Sequence, residues 1–377
     1  MIYKTLVVSV ASLVRKGLVN NFSRNMSSGR FLVYVTRSDM PECGIELLKK
    51  QLSLAMIFLN PGLNLFFCLF QKSLASICEV KTWKDASPVP REEFLKGVTG
   101  VDAIYCSLNE KIDHEVLDAA GSQLKVIGTI SVGYDHIDLK ECRKRGIRIG
   151  YTPDVLTDAT AELTMALLLA TSRRLPEAQH DAKTGGWVSW APQYMTGPGL
   201  NGATVGMVGF GRIGQAVARR VKSFNTAKIL YFSRSERVEA KEVGAIKVNF
   251  EELLRESDFV IVCAPLVPET KELFNKSAFE KMKRSAVFVN TSRGALVDQD
   301  ALIYALENNI IWGAGLDVTT PEPLPLDSPL FKLKNCVVLP HIGSATIGTR
   351  NTMSELTASN ILAALNGTEM PAELKYF

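Results

Sequence analysis

The chain has four histidines, His114, His136, His180 and His341, so any imidazole chemistry has few sources. Imidazole titrates near neutral pH and is the usual side chain for moving a proton. His114 opens a predicted helix, His136 falls in a predicted helix turn at Tyr134–Ile137, and His180 sits on a polar helical stretch. All three read as structural. His341 differs. It follows a predicted strand, in Pro340-His341-Ile342-Gly343-Ser344, and two other segments share that setting. Asn290-Thr291-Ser292-Arg293-Gly294 brings a guanidinium; Gly315-Leu316-Asp317-Val318, followed by Pro321-Glu322-Pro323, brings two carboxylates. Arg293, Asp317 and His341 each stand at or just beyond the C-terminal end of a strand, where open parallel sheets hold ligands. Glu322 lies in a loop whose prolines restrict its conformations. An imidazole beside a carboxylate favours its protonated form, and a planar guanidinium suits an anion. Such a set could move a proton beside a fixed positive charge.

A second group of residues points to what would accompany that chemistry. The predicted strand Thr204–Val208 runs into Gly209-Phe210-Gly211-Arg212-Ile213-Gly214 and then a helix over Ile213–Phe224. Strand before and helix after are the context in which this glycine pattern binds a dinucleotide. Gly209 permits the tight turn, Gly211 lets backbone approach a pyrophosphate, and Gly214 lets the helix pack close, with its first N–H groups toward the phosphates. The next strand, Lys228–Phe232, ends in Ser233-Arg234-Ser235, with Glu236 and Arg237 close behind and no carboxylate at the tip. An acidic residue there would accept from a ribose 2′-OH, whereas a cation accommodates a 2′-phosphate. NADPH is expected over NADH.

The elements that must position these residues form two series. Near-continuous apolar runs at Phe31–Thr36, Ile77–Trp83, Asp102–Cys106, Leu124–Ile130 and Ile147–Tyr151 read as strands buried on both faces, with helices such as Glu42–Gln51 between them. Thr204–Val208, Lys228–Phe232, Ile246–Val248, Phe259–Cys263, Ala286–Asn290, Gly313–Val318 and Val337–Pro340 form the second series. The fold class is α/β, with two doubly wound, Rossmann-like parallel-sheet domains. For 377 residues, two domains are also what length alone suggests. Thr157-Asp158 is expected to cap a helix over Ala159–Arg174, and Gly185-Gly186 and Gly197-Pro198-Gly199 break the chain before the second series. The expected domains are 30–155 and 156–340, with 341–377, including a helix over Ser344–Leu365, returning to the first.

Two stretches stand apart. Residues 1–30, with Lys4, Arg15, Lys16, Arg24 and Arg30 and no acidic residue, read either as a mitochondrial targeting segment or as an extension with initiation at Met26. The apolar run 52–70, inside an insertion at 52–77, is long enough to cross a membrane, but Pro61-Gly62 would break a helix there; it reads as an insertion, not a span. The balance of 43 basic and 39 acidic residues is too small for binding nucleic acid by bulk charge. Seven cysteines without a Cys-x-x-Cys pair read as reduced thiols of an intracellular, cytoplasmic protein, not as a metal site.

From about Arg30 onward the chain resembles the D-isomer-specific 2-hydroxyacid dehydrogenase family. The glycine loop, Ser292-Arg293-Gly294, Asp317-Val318 with Glu322-Pro323, and Pro340-His341-Ile342-Gly343 follow the family's order and spacing; residues 1–29 and 52–77 depart from it. Tyr151–Asp158, Gly185–Trp190 and Met370–Lys375 are similar to members that reduce hydroxypyruvate to D-glycerate and glyoxylate to glycolate. The resemblance implies a flavodoxin-like substrate-binding domain, an NADP-binding domain and a homodimer. It implies His341 as general acid, Glu322 as its partner, and Arg293 as the residue that binds the keto acid. Backbone N–H groups of Val132 and Gly133 would also hold the substrate carboxylate, and Asp317 would orient the nicotinamide amide. Thr160, Ser233, Arg234, Pro265, Thr270, Thr291 and Gly343 would join the 209–214 turn in contacting the cofactor. Trp190 would reach across the dimer and narrow the neighbouring substrate pocket. Two rivals remain open: a dehydrogenase for another keto acid, and a non-catalytic nicotinamide-sensing corepressor.

Overall fold

The computed structural model describes residues 30–49 and 78–375. The expectations for residues 1–29 and for the 52–77 insertion lie outside them. The described residues fall into two compact units.

The first unit holds residues 30–49, 78–130, 136–151 and 354–375. Its strands β1 (Phe31–Val35), β2 (Cys78–Thr82), β3 (Ala103–Cys106), β4 (Val126–Thr129) and β5 (Arg148–Gly150) form one parallel sheet in the order β2-β1-β3-β4-β5. That is the flavodoxin-like doubly wound order. The central strands β3 and β4 are buried at every position, which is why they read as unbroken apolar runs. Phe94, Val116, Leu117, Ile104 and Ile127 fill the core beside them. Asp113 and Asp138 cap the helices His114–Ala120 and Leu139–Lys144 by accepting from the N–H groups of Val116 and Glu141; each such cap is worth about 1 kcal/mol. The C-terminal segment is tied to β5. Arg148 makes a two-pronged ion pair with Glu373 at 2.7 Å, and Asn360 donates to Tyr151 O and accepts from Ala372 N.

The second unit holds residues 131–135 and 152–353. Strands β6 (Thr204–Val208), β7 (Lys228–Phe232), β8 (Ile246–Lys247), β9 (Phe259–Val262), β10 (Val287–Asn290), β11 (Gly313–Leu316) and β12 (Cys336–Val338) are parallel, in the order β12-β11-β10-β9-β6-β7-β8. β6 pairs with both β7 and β9, so the strand order reverses there, and such a reversal opens a ligand crevice at the strand C-termini. One apolar layer, with Phe274, Phe279 and Phe288 in edge-on contact at 4.9 and 5.5 Å, includes Leu302 and Leu306. The other includes Leu167, Leu168, Val217 and Val221.

Several expected boundaries move. The units part at Tyr151–Thr152 and Met353–Ser354, not at 155–156 and 340–341, and 131–135 belongs with the second unit. Thr157 and Asp158 lie inside the first turn of the helix Thr157–Ser172, and neither caps it. Asp158 instead accepts from Arg220 on the neighbouring helix. Tyr134–Ile137 is not a helix turn: Ile112 N–H donates to His136 O and Asp138 N–H to Ile112 O, and this bridge takes the backbone groups a helix would need. The last helix starts at Ile347, three residues after Ser344. Among the described residues no helix is long and apolar enough to cross a membrane.

Candidate active site

β6 ends in the glycine turn, and the backbone explains the residue types. Gly209 has φ 95, and a Cβ there would lie 2.6 Å from the backbone of Cys263 and Ala264. A Cβ on Gly214 would lie 2.4 Å from Gly209 O, so the helix Arg212–Lys222 can approach only because that atom is missing. Gly211 faces open space instead. As N-cap it offers no side chain to the first helical N–H groups, which suits an incoming phosphate. Phe210 contributes only backbone, for its ring is 1% exposed and packs on Tyr231 at 4.5 Å. Ile213 packs into the core, and Arg212 forms an ion pair with Asp154 at 2.5 Å. At the end of β7, Ser233 Oγ donates to Ser235 O, and Arg234 is exposed, with no ion pair among the described residues. After β9, Thr270 Oγ1 lies 2.7 Å from Pro265 O and accepts from Val267 N–H, closing that loop on itself.

The next three strand ends carry the polar groups. Asn290, fully buried at the end of β10, accepts from Ser292 N–H and donates to Arg293 O, so it shapes the turn that presents the guanidinium. Ser292 Oγ is fastened to Ala264 O, and Thr291 Oγ1 meets Thr164 Oγ1 at 2.8 Å. Arg293 donates from Nε to Asp135 Oδ1 at 3.0 Å and from Nη1 to Ser292 O at 2.8 Å. A partly exposed pair of this kind adds only about 0.2–1 kcal/mol to stability. Gly133 lies directly against it: a Cβ there would fall 1.6 Å from Arg293 Nη2.

Asp317, just past β11 and 1% exposed, holds the His341 loop. Its Oδ1 and Oδ2 accept from Ile342 and Gly343 N–H, both at 2.8 Å, while its carbonyl accepts from His341 N–H. Burial pushes this carboxyl above the usual range, against the two N–H groups and the His341 charge. Gly343 also packs near Thr160. His341 itself has φ 54, a left-handed backbone that few side chains adopt. Its Nδ1 lies 2.7 Å from Glu322 Oε2, and Glu322 Oε1 accepts from Thr319 N–H. The Thr320–Pro321 and Glu322–Pro323 peptides flanking this acid are cis. Burial would raise the Glu322 carboxyl, but the His341 hydrogen bond and charge, Thr319 N–H and Arg293 outweigh it and hold it below the usual range.

The structure thus joins Glu322 to His341, Asp317 to the His341 loop, and Arg293 to Gly133. It leaves Trp190 apart: its own chain exposes 81% of it, with Trp187 63% exposed in the same segment. Sequence reasoning missed Asp135, Asn290 and Asp154. Asn290 had a signal, an amide ending a strand of otherwise apolar residues; Asp135 had none. Among the described residues no three His, Cys, Asp or Glu side chains group as metal ligands would.

Known proteins resemble this chain in sequence and fold. Residues 165–343 match the family described as D-isomer specific 2-hydroxyacid dehydrogenase, NAD binding domain. A human glyoxylate reductase/hydroxypyruvate reductase is 55% identical over 80% of this chain and 92% of its own length. A glyoxylate reductase of Thermococcus kodakarensis is 46% identical over 91% of this chain and 95% of its own. The crystal structure of an NADPH-dependent glyoxylate/hydroxypyruvate reductase from Sinorhizobium meliloti, in complex with NADP and malonate, superposes with a TM-score of 0.72 at 29% identity, covering 92% of this chain and 97% of that one. Fold and site define an oxidoreductase with a nicotinamide-binding Rossmann unit. The chain belongs to the D-isomer-specific 2-hydroxyacid dehydrogenase family, and within it is similar to the glyoxylate reductases.

Proposed function

We propose that the protein is an NADPH-dependent reductase of small 2-keto acids, converting hydroxypyruvate to D-glycerate and glyoxylate to glycolate, and that it works as a homodimer. The observation that carries the chemistry is the 2.7 Å contact between His341 Nδ1 and Glu322 Oε2. An acid held below its usual range is ionised at neutral pH and can only accept, so Nδ1 carries the hydrogen. Nε2 is then the nitrogen that holds a proton for the ketone oxygen. After that proton leaves, a neutral imidazole remains bonded to Glu322. Arg293 holds the substrate carboxylate and polarises the ketone, helped by the N–H groups of Val132 and Gly133. The 209–214 turn would hold the dinucleotide with Thr160, Ser233, Arg234, Pro265, Thr270, Thr291, Asp317 and Gly343. A bound reduced nicotinamide supplies the hydride.

The preference for NADPH rests on Arg234, exposed and without an ion pair among the described residues, and on the lack of a carboxylate in Ser233-Arg234-Ser235 at the tip of β7. Arg234→Asp should erase it; an unchanged ratio of kcat/KM for NADPH and NADH would refute the assignment. The exposed Trp190 supports a wall supplied to the second copy's pocket. If Trp190→Ala leaves glyoxylate, hydroxypyruvate and larger keto acids ranked as before, that role is wrong. A cytoplasmic location is proposed; mitochondrial import of a reporter fused to residues 1–30 would overturn it.

Absorbance at the reduced-nicotinamide band, followed over a panel of keto acids, tests the whole. Turnover of hydroxypyruvate and glyoxylate ahead of pyruvate and aromatic keto acids is expected. A reversed ranking would assign the chain another substrate, and cofactor binding with no turnover would leave a nicotinamide sensor.

A further inference from the structure

We propose that Asp135 is a positioning residue for Arg293, fixing the guanidinium against the 132–133 backbone so that the two form one seat for the substrate carboxylate. The inference rests on the keto-acid reading above. Arg293 is anchored twice, from Nε to Asp135 and from Nη1 to Ser292 O. Of its five N–H donors, those two are committed and the rest lie on the terminal nitrogens. Nη2 occupies the space that any side chain at Gly133 would need. Asp135 and Gly133, two residues apart, therefore do complementary work: one holds the guanidinium and the other makes room for it. The loop is itself held, since Ser131 Oγ donates to Gly133 O at 2.6 Å and Thr152 N–H donates to Ser131 O at 2.9 Å.

Why a carboxylate stands beside an anion site needs a reason, because like charge repels the ligand. Stability does not supply it, for the two side chains are 22% and 38% exposed. Orientation does: a free arginine side chain samples many rotamers, and a fixed Nε selects the one in which Nη2 lies against Gly133.

The test separates geometry from charge. In Asp135→Ala the KM for hydroxypyruvate should rise about 10-fold or more while the KM for NADPH holds, because only the keto-acid seat is loosened. Asp135→Asn keeps an oxygen that accepts from Nε and should stay within about threefold of wild type. In an Arg293→Lys background, which lacks Nε, Asp135→Ala should add nothing further. An unchanged KM, equal losses in the Ala and Asn variants, or an additive loss in the lysine background would overturn the proposal. A second readout needs no turnover: the Arg293 Nε–H signal in ¹⁵N NMR should exchange slowly in wild type and in Asp135→Asn, and rapidly in Asp135→Ala. If that pattern appears but no keto acid is reduced, the positioning role stands and the substrate reading falls. If keto acids are reduced and the signal ignores residue 135, the positioning role falls alone.

Discussion

The two ends of β10, β11 and β12 offer a comparison within one sheet. At their C-terminal ends stand Arg293, Asp317 and His341. At their N-terminal ends, Ser285, Trp312 and Asn335 border a cavity of about 720 Å³ that Arg174, Arg284, Lys334 and Glu307 also line. By volume and charge that second end is a respectable site. Its cations are not organised, however: among the described residues Arg284 and Lys334 make no ion pair, and Arg174 is taken by Glu177 three positions along. At the first end each ionisable group is held by a neighbour, Glu322 by Thr319, the His341 loop by Asp317, and Arg293 by Asp135. Room and charge are common on a protein surface. Fixed, convergent donors and acceptors are what electrostatic preorganisation requires.

The contrast is open to direct attack. His341→Ala should lower kcat by about 10²–10⁴ while NADPH binding, followed by cofactor fluorescence, survives; an active variant would remove the reason for favouring this end. Gly133→Ala puts a methyl group onto Arg293 Nη2 and should cost about 100-fold in kcat/KM for the keto acid. The acid limb of stability gives a subtler reading. Glu322 is held low in the fold, so its pairing stabilises the protein above the ordinary carboxylate range and is lost as pH falls through the lowered value. The wild-type Tm should accordingly fall more steeply than that of Glu322→Gln below about pH 4.3, where an unperturbed glutamate would titrate. The smallest effect belongs to the other end. Replacing Arg284 and Lys334 together by alanine should leave kcat/KM within about twofold and stability within about 0.5 kcal/mol. A large loss there would mean that the empty-looking end does take part.

The glycine turn could be read because everything it requires lies within six residues: a left-handed Gly209, an open Gly211 and a Gly214 without Cβ. The central strands could be read because burial on both faces removes most polar residues from them; the edge strands β2 and β8 are largely exposed instead, and strand ends shifted by a residue or two. What escaped was long-range. Asp135 meets Arg293 across 158 positions, and Asp158 meets Arg220 across 62. No local pattern announces such a pair. In the second case the distant arginine also explains why a sequence that resembles a helix cap is not one. Tyr134–Ile137 failed for a related reason, since the bridge to Ile112 claims its backbone.

The left-handed backbone at His341 also constrains inheritance. Asparagine, aspartate and glycine tolerate that conformation, whereas valine or isoleucine would strain it. A lineage that loses its imidazole to asparagine therefore keeps the loop, its Asp317 clasp and the glycine turn. If His341 is the proposed acid, one codon would separate a working catalyst from an intact, silent receptor for the same coenzyme.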